Sequence, residues 1–224
     1  MSGRTISEFI FEQHCARRGV DARRIPESTH REPDYEVYLE GGSIMAEIKQ
    51  MDPNERDRTR ELKRNEEDDG MAVAPADRVR GMLASGYPQL KRYAKAGCPG
   101  ILVTYNNAGH VNYIDDFTVT KAMFGSPHVA FSIGQDGILR FRGHGFGGGR
   151  RVTRNTCRAL SALCVLTAAS PSVSELHAYH NPYADLPIDP IQLSVLADSQ
   201  YVYDDPHGLS QRGSFKLMPR RLTV

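Results

Sequence analysis

The chain is expected to form an α/β fold, and three stretches of its 224 residues carry that expectation. Residues 34–39 and 43–50 alternate in polarity on either side of Gly41-Gly42, a favoured two-residue link between antiparallel strands. Val79, Met82, Leu83, Leu90 and Tyr93 recur at helical spacing across residues 77–96. Gly97 and Pro99 then end that helix ahead of the apolar run 101–105, which reads as a buried strand reached by a helical crossover.

The first element is a helix. Ile6, Phe9, Ile10 and Gln13 fall near a helical repeat, so residues 7–18 should form an amphipathic helix capped by Ser7 and ended by Gly19, with Glu8 and Glu12 stacked on one face. In the hairpin, pairing Glu40 with Ser43 sets Tyr35 against Ile48 and Asp34 against Lys49. Tyr35, Val37 and Leu39 then share an apolar face with Ile44, Ala46 and Ile48, and the other face carries Asp34, Glu47 and Lys49. Glu36 would lie opposite Glu47, an unfavourable like-charge pair that suggests a bulge or a further ligand.

Residues 52–70 are almost wholly charged and read as a solvated helix or mobile loop. Gly86 and Pro88 suggest a break in the next helix. Further strands are expected around 111–114, 129–133 and 138–142, then a glycine-rich loop, a buried helix over 155–169 and a strand near 173–179. The proline-rich segment from Asn181 onward should wrap the body with little regular structure. Without internal repeat or linker, residues 1–224 read as one domain, its core spanning about 5–115 and an extension of the same domain covering 116–224.

Composition sets bounds on function. The 40% hydrophobic content can fill a core, while a net charge of +1 leaves any polyanion binding to local clustering of the 28 Lys and Arg. Four cysteines without a CxxC pair fit a reducing compartment, so a cytoplasmic location is expected. The N-terminus lacks the apolar stretch of a signal peptide, and residues 160–169 are too short an apolar segment to span a bilayer, so no membrane partner is expected.

The chemistry resides in the hairpin. In the expected register Asp34 and Glu47 are diagonal neighbours, roughly 7–8 Å apart at their backbones, from which two carboxylates can converge on one cation. Hard oxygen donors favour Mg²⁺ or Mn²⁺. A bound metal would acidify a water and neutralise charge on a scissile phosphate, and Lys49 would orient the water or stabilise the transition state.

Pro33-Asp34, twelve intervening residues and Glu47-Ile48-Lys49 resemble the motif of the PD-(D/E)XK nuclease superfamily in order, spacing and strand context. The likeness covers about residues 7–105. It implies a restriction-endonuclease-like fold, a mixed central sheet flanked by helices, and a Mg²⁺-dependent endonuclease that cleaves DNA to leave 5′-phosphate and 3′-hydroxyl ends. By the same resemblance Asp34, Glu47 and the Ile48 carbonyl bind metal, Glu12 on the preceding helix assists (Glu8 being the second choice), and Gln50 contacts the site. The segments Ala122-Met123-Phe124-Gly125 and His180-Asn181-Pro182-Tyr183-Ala184 resemble pieces that accompany this core in small bacterial proteins of restriction and phage defence. The implied partners are nucleic acid, a second copy in a homodimer, or other subunits of a defence complex. The alternative is a catalytically inactive protein of this fold serving as a nucleic-acid-binding or scaffold component.

Other signals have ordinary readings. Residues 143–148 satisfy G-x-G-x-x-G, but so many glycines make the spacing nearly unavoidable, and a hinge is the simpler reading than a nucleotide site. Arg150, Arg151 and Arg154, beside that loop and a helix start, are candidates for clamping a phosphate. His177 and His180 fall on opposite faces of a strand and are read as structural, Cys157, Leu160, Leu163, Cys164 and Leu166 as core, and Lys91, Arg92 and Lys95 near Tyr87 and Tyr93 as a solvated helix face.

Overall fold

A computed structural model describes residues 3–26, 28, 31–55, 57–59, 75–108, 113–203 and 215–218. Helix α1 (Ile6–Arg17) begins one residue before the expected start because Thr5, not Ser7, is its cap. Thr5 Oγ1 accepts the Glu8 amide at 3.2 Å and the Glu8 carboxylate accepts the Thr5 amide at 2.6 Å, a reciprocal capping box. A short strand β1 (Asp21–Arg24) leads to the hairpin β2 (Tyr35–Leu39) and β3 (Gly42–Met51). Helix α2 (Ala76–Lys95) crosses to β4 (Gly100–Asn106), which lies parallel to β3.

The second half supplies α3 (Asp116–Phe124), a separate two-stranded ribbon of β5 (Pro127–Ile133) and β6 (Leu139–Phe146), then β7 (Ala162–Ser170), β8 (Val173–His180), the short α4 (Pro190–Leu193), β9 (Ser199–Tyr203) and β10 (Phe215–Leu217). The main sheet runs β1-β2-β3-β4-β7-β8-β9-β10 with parallel and antiparallel pairs, so both halves of the chain share one mixed eight-stranded sheet. The architecture is α/β, a large mixed sheet flanked by helices.

Each sheet face has its own core. Tyr35, Val37, Ile44, Ala46, Ile48, Ile101 and Val103 pack with Ile10, Phe11 and Cys15 of α1. Met45, Met51 and Leu102 face the other way, toward Val79, Met82, Leu83 and Leu90 of α2 and Val119 and Met123 of α3. His14 is fully buried and ties α1 to the C-terminal part, its ring contacting Leu196 O at 2.8 Å and Ser174 Oγ at 3.1 Å. Burial lowers its proton affinity. All four cysteines are free thiols, and among the described residues no helix is long and apolar enough to cross a membrane.

Several expectations need correcting. The expected helix over 155–169 is irregular chain followed by β7, whose Ala162, Cys164 and Leu166 enter one core and Leu163 and Val165 the other. A strand buried on both faces has a continuous apolar run, which periodicity cannot distinguish from a buried helix. The expected glycine-rich loop starts later, since residues 143–146 are strand in β6, and Arg150 donates to Phe146 O beside an extended strand end instead of a helix start. Helix α2 runs unbroken through Gly86 and Pro88. The C-terminal segment is more regular than expected, contributing α4, β9 and β10. Of the expected strand at 111–114, residues 111–112 lie outside the described residues and 113–114 are not strand, and the charged segment is described only for 52–55 and 57–59.

Leu163 is fully buried at the centre of the sheet between β4 and β8. Leu163→Ala is expected to lower unfolding free energy by about 2–5 kcal/mol, measured by urea denaturation; a loss below about 0.5 kcal/mol, the range of surface changes, would contradict the strand assignment.

Candidate active site

The two-residue loop lies one residue earlier than the sequence suggests, which shifts the pairing by two. The loop is Glu40-Gly41, with Gly41 in the left-handed region (φ 92°), and Leu39 pairs with Gly42, Val37 with Ile44 and Tyr35 with Ala46. A shift of two keeps every side chain on its expected face. It sets Glu36 against Met45, which removes the expected clash with Glu47. One step beyond Tyr35 and Ala46, Asp34 is level with Glu47, directly opposite instead of diagonal.

Strand β3 continues for five residues after β2 begins. Pro33 has no amide to donate and ends the ladder on that side. Asp34 takes over: its carbonyl accepts the Ile25 amide at 2.9 Å, and its Oδ2 accepts the Ile48 amide at 2.6 Å. In an extended strand the carbonyl of a residue points to the same edge as its amide, so the Ile48 carbonyl also faces the Asp34 side.

Glu47 and Lys49 project from the sheet face that lies under α2, away from α1. The helix covers that face, and Glu47 is fully buried. The contact depends on Gly86. A methyl group there would lie 2.5 Å from Leu102 Cδ1, 3.0 Å from Glu47 Cγ and 3.6 Å from Lys49 Cε. The Lys49 ammonium is pressed against Glu47 Oε1 as an ion pair, yet neither Glu47 oxygen has a well-angled hydrogen bond. Burial first, and then the Asp34 charge, push the Glu47 carboxyl up to about 7 against the pull of Lys49 and Gln89. Burial likewise raises Asp34, opposed by the Ile48 amide and Lys49 and reinforced by Glu8.

The remaining predicted residues separate. Glu8, the second choice, is the helix acid whose charge reaches Asp34; it is buried, held by the capping box and paired with Arg24 at 3.4 Å. Glu12 instead accepts the Tyr35 hydroxyl at 2.8 Å and pairs with Arg4 at 3.1 Å. Gln50 lies on the α1 side, where its Oε1 accepts the Ser7 amide at 2.9 Å and its Nε2 donates to Asp52 at 2.6 Å. It docks the helix start onto β3. Among the described residues no three His, Cys, Asp or Glu form a metal-holding group, so neither Glu8 nor Glu12 completes a triad with Asp34 and Glu47.

Gln89 was missed by the sequence reading. Its side chain joins Glu47 and donates from Nε2 to Glu32 O at 3.3 Å. Glu32 itself accepts the Tyr93 hydroxyl at 2.6 Å and Arg92 at 2.8 Å, so α2 holds the segment that enters Asp34. The expected basic face of α2 is thus divided, with Arg92 and Tyr93 engaged here and Lys91 and Lys95 exposed. Only spacing along a helix known to cover the hairpin would have pointed to Gln89.

A divalent cation of the kind the resemblance implies needs hard oxygen donors. Two carboxylates on facing strands, a main-chain carbonyl at the same edge and two buried oxygens without regular hydrogen bonds are compatible with that requirement. No family model, curated protein or solved structure matches this chain.

Two outcomes are expected. Because Glu47 is raised in the fold from 4.5 to about 7, its contribution to stability is intact below pH 4.5 and is lost as pH rises through 7. Glu47→Gln should therefore match the parent at pH 4 and exceed it by up to about 3 kcal/mol at pH 8, read from urea curves across pH; a parallel pH dependence in both proteins would refute the burial argument. Gly86→Ala should destabilise by about 1–2 kcal/mol, since overpacking outweighs the helix-propensity gain. Gly81→Ala, with open space around it on the same helix, should instead gain up to about 1 kcal/mol, and thermal melts that rank the two the other way would deny the close helix approach.

Proposed function

We propose that the chain is a metal-dependent endonuclease of the PD-(D/E)XK type with DNA as its substrate. The observation that carries this reading is the juxtaposition of Asp34, Glu47 and Lys49 at the overhanging end of β3, with one carboxyl buried and protonating near neutrality. The order helix, three-strand meander, helix and parallel strand agrees with the core that the resemblance implies, and the restriction-endonuclease-like fold is part of the proposal.

Asp34 and Glu47 would hold Mg²⁺ or Mn²⁺, with the Ile48 carbonyl as a third donor. Such an ion supplies positive charge at the scissile phosphate and acidifies a water. Asp34 keeps its donor geometry because the Ile48 amide fixes one oxygen. Lys49, about a quarter exposed along its side chain, changes partners from Glu47 to the attacking water or a phosphoryl oxygen. Gln89 steadies Glu47 from above, and Glu8 adds negative charge beside Asp34 without entering the donor set. Restriction or phage defence is the proposed setting, in the cytoplasm.

A second reading, a scaffold of the same fold without catalysis, is favoured by the Glu47–Lys49 pair and by the cover of α2, which give the acid a countercharge and bury it without a cation. Calorimetric titration with Mn²⁺ separates the two. The enzyme binds Mn²⁺ more tightly as pH rises through 7, because Glu47 must lose its proton, and Glu47→Gln abolishes binding.

Incubation with plasmid DNA and Mg²⁺ should yield cleavage that EDTA stops. Asp34→Asn, Glu47→Gln and Lys49→Met should each reduce the rate at least about a hundredfold while the protein stays folded, the scale of removing one transition-state contact. Full activity in Asp34→Asn would dismiss the proposal.

A further inference from the structure

The β5–β6 ribbon hydrogen-bonds to no strand of the main sheet. Its register puts Phe131 opposite Phe141 and Ile133 opposite Leu139, and Val129 follows on the same side of β5. These five side chains form one face, and each is between 44% and 73% exposed. Phe131 and Phe141 meet edge to face at 5.9 Å. Across the ribbon the register places small and polar residues, Ala130 with Gly143 and Ser132 with Arg140. The base is anchored where Phe146 packs on Phe124 and Tyr203.

An isolated two-stranded ribbon is barely stable in water, and one that turns five large apolar groups to solvent lacks a layer. At roughly 200 Å² for a large side chain, the exposed part of the five comes to roughly 500 Å². Two such faces pressed together bury about 1,000 Å², the threshold for a stable contact between proteins.

The surroundings favour an identical partner. Asp136 is paired with Arg140, and Arg142 donates to Ser132 Oγ at 2.7 Å, so these charged groups of the ribbon are engaged within it and present no complement to a charged partner. A β-bulge between Ala130 and Phe131 bends the ribbon near its base, and from there to the tip Phe131, Phe141, Ile133 and Leu139 make a continuous apolar surface that can meet itself across a two-fold axis, the commonest symmetry of protein oligomers. We propose that this face is a homodimer interface, on which the same face of a second copy of this chain is seated to form a small two-layer sandwich. The proposal is independent of the endonuclease reading.

Sedimentation of the full chain across the micromolar range tests it. A concentration-dependent dimer is expected, and Phe131→Ser combined with Leu139→Ser should weaken it at least about tenfold with an unchanged circular dichroism spectrum. If that variant does not fold, hydrogen exchange on the parent chain asks the same question, and protection of residues 127–146 should rise with protein concentration. A parent chain that stays monomeric throughout, a double variant that dimerises as tightly as the parent, exchange independent of concentration, or a monomer that binds phospholipid vesicles through this ribbon would each overturn the proposal.

Discussion

Helix α2 lies against β3 and β4 because residue 86 has no side chain to hold it away, and the character of the site follows from that approach. With Leu102 Cδ1 and Glu47 Cγ where a methyl group would stand, water is excluded from Glu47, and the loss of hydration raises its affinity for a proton. Asp34, the Lys49 ammonium and the Gln89 amide are the polar groups that act on it there. Pro88 removes an amide donor from the same helix at a cost of about 3 kcal/mol. Full burial of Leu83 and Leu90, worth about 1.5–3 kcal/mol each, is sufficient to keep the helix continuous through it.

The second constraint is the length mismatch between β2 and β3. An overhanging strand presents unpaired amides, and Asp34 answers one of them with its side chain. That bond fixes the carboxylate at the strand edge while its backbone remains bonded toward β1. On the other side of the sheet Gln50 binds the Ser7 amide at the start of α1, which brings Glu8 close enough to oppose ionisation of Asp34. The edge of one strand thereby gathers groups from both faces of the sheet.

Much of this was legible in the sequence, for reasons that differ from element to element. Side-chain parity survived the register error because a slip of two residues leaves faces unchanged, so Asp34, Glu47 and Lys49 fell together although the loop was misplaced. The strands β4, β5, β6 and β8 and the helix α2 followed from runs of apolar residues bounded by glycine or proline. The strand β7 was lost because burial on both faces erases alternation, and β1, with Asp21, Arg23 and Arg24 exposed, has no apolar signal at all. What covers a hairpin face is a tertiary fact. Nothing in residues 34–50 says that Gly86 and Gln89, some forty residues later, close over them, nor that Glu8 is held by a capping box near Asp34 while Glu12 turns to Tyr35 and Arg4.

An apolar residue at position 47 would suit this fold better than the acid does. Met45 and Met51 occupy the same face of β3, Leu102 stands beside it on β4, and α2 supplies Met82 and Leu83 above, so a leucine or methionine there would continue a dry layer. Buried ion pairs are in general no more stabilising than well-packed apolar replacements. Here the carboxyl is moreover held above its usual range, so its ionisation above neutral pH works against folding. A group that costs stability where it stands, faces a second acid across the strand pair and touches a lysine two residues on is better explained by what it binds than by what it supports. Stability alone would favour filling the space under Gly86; the cation site proposed for this chain requires that it stay polar.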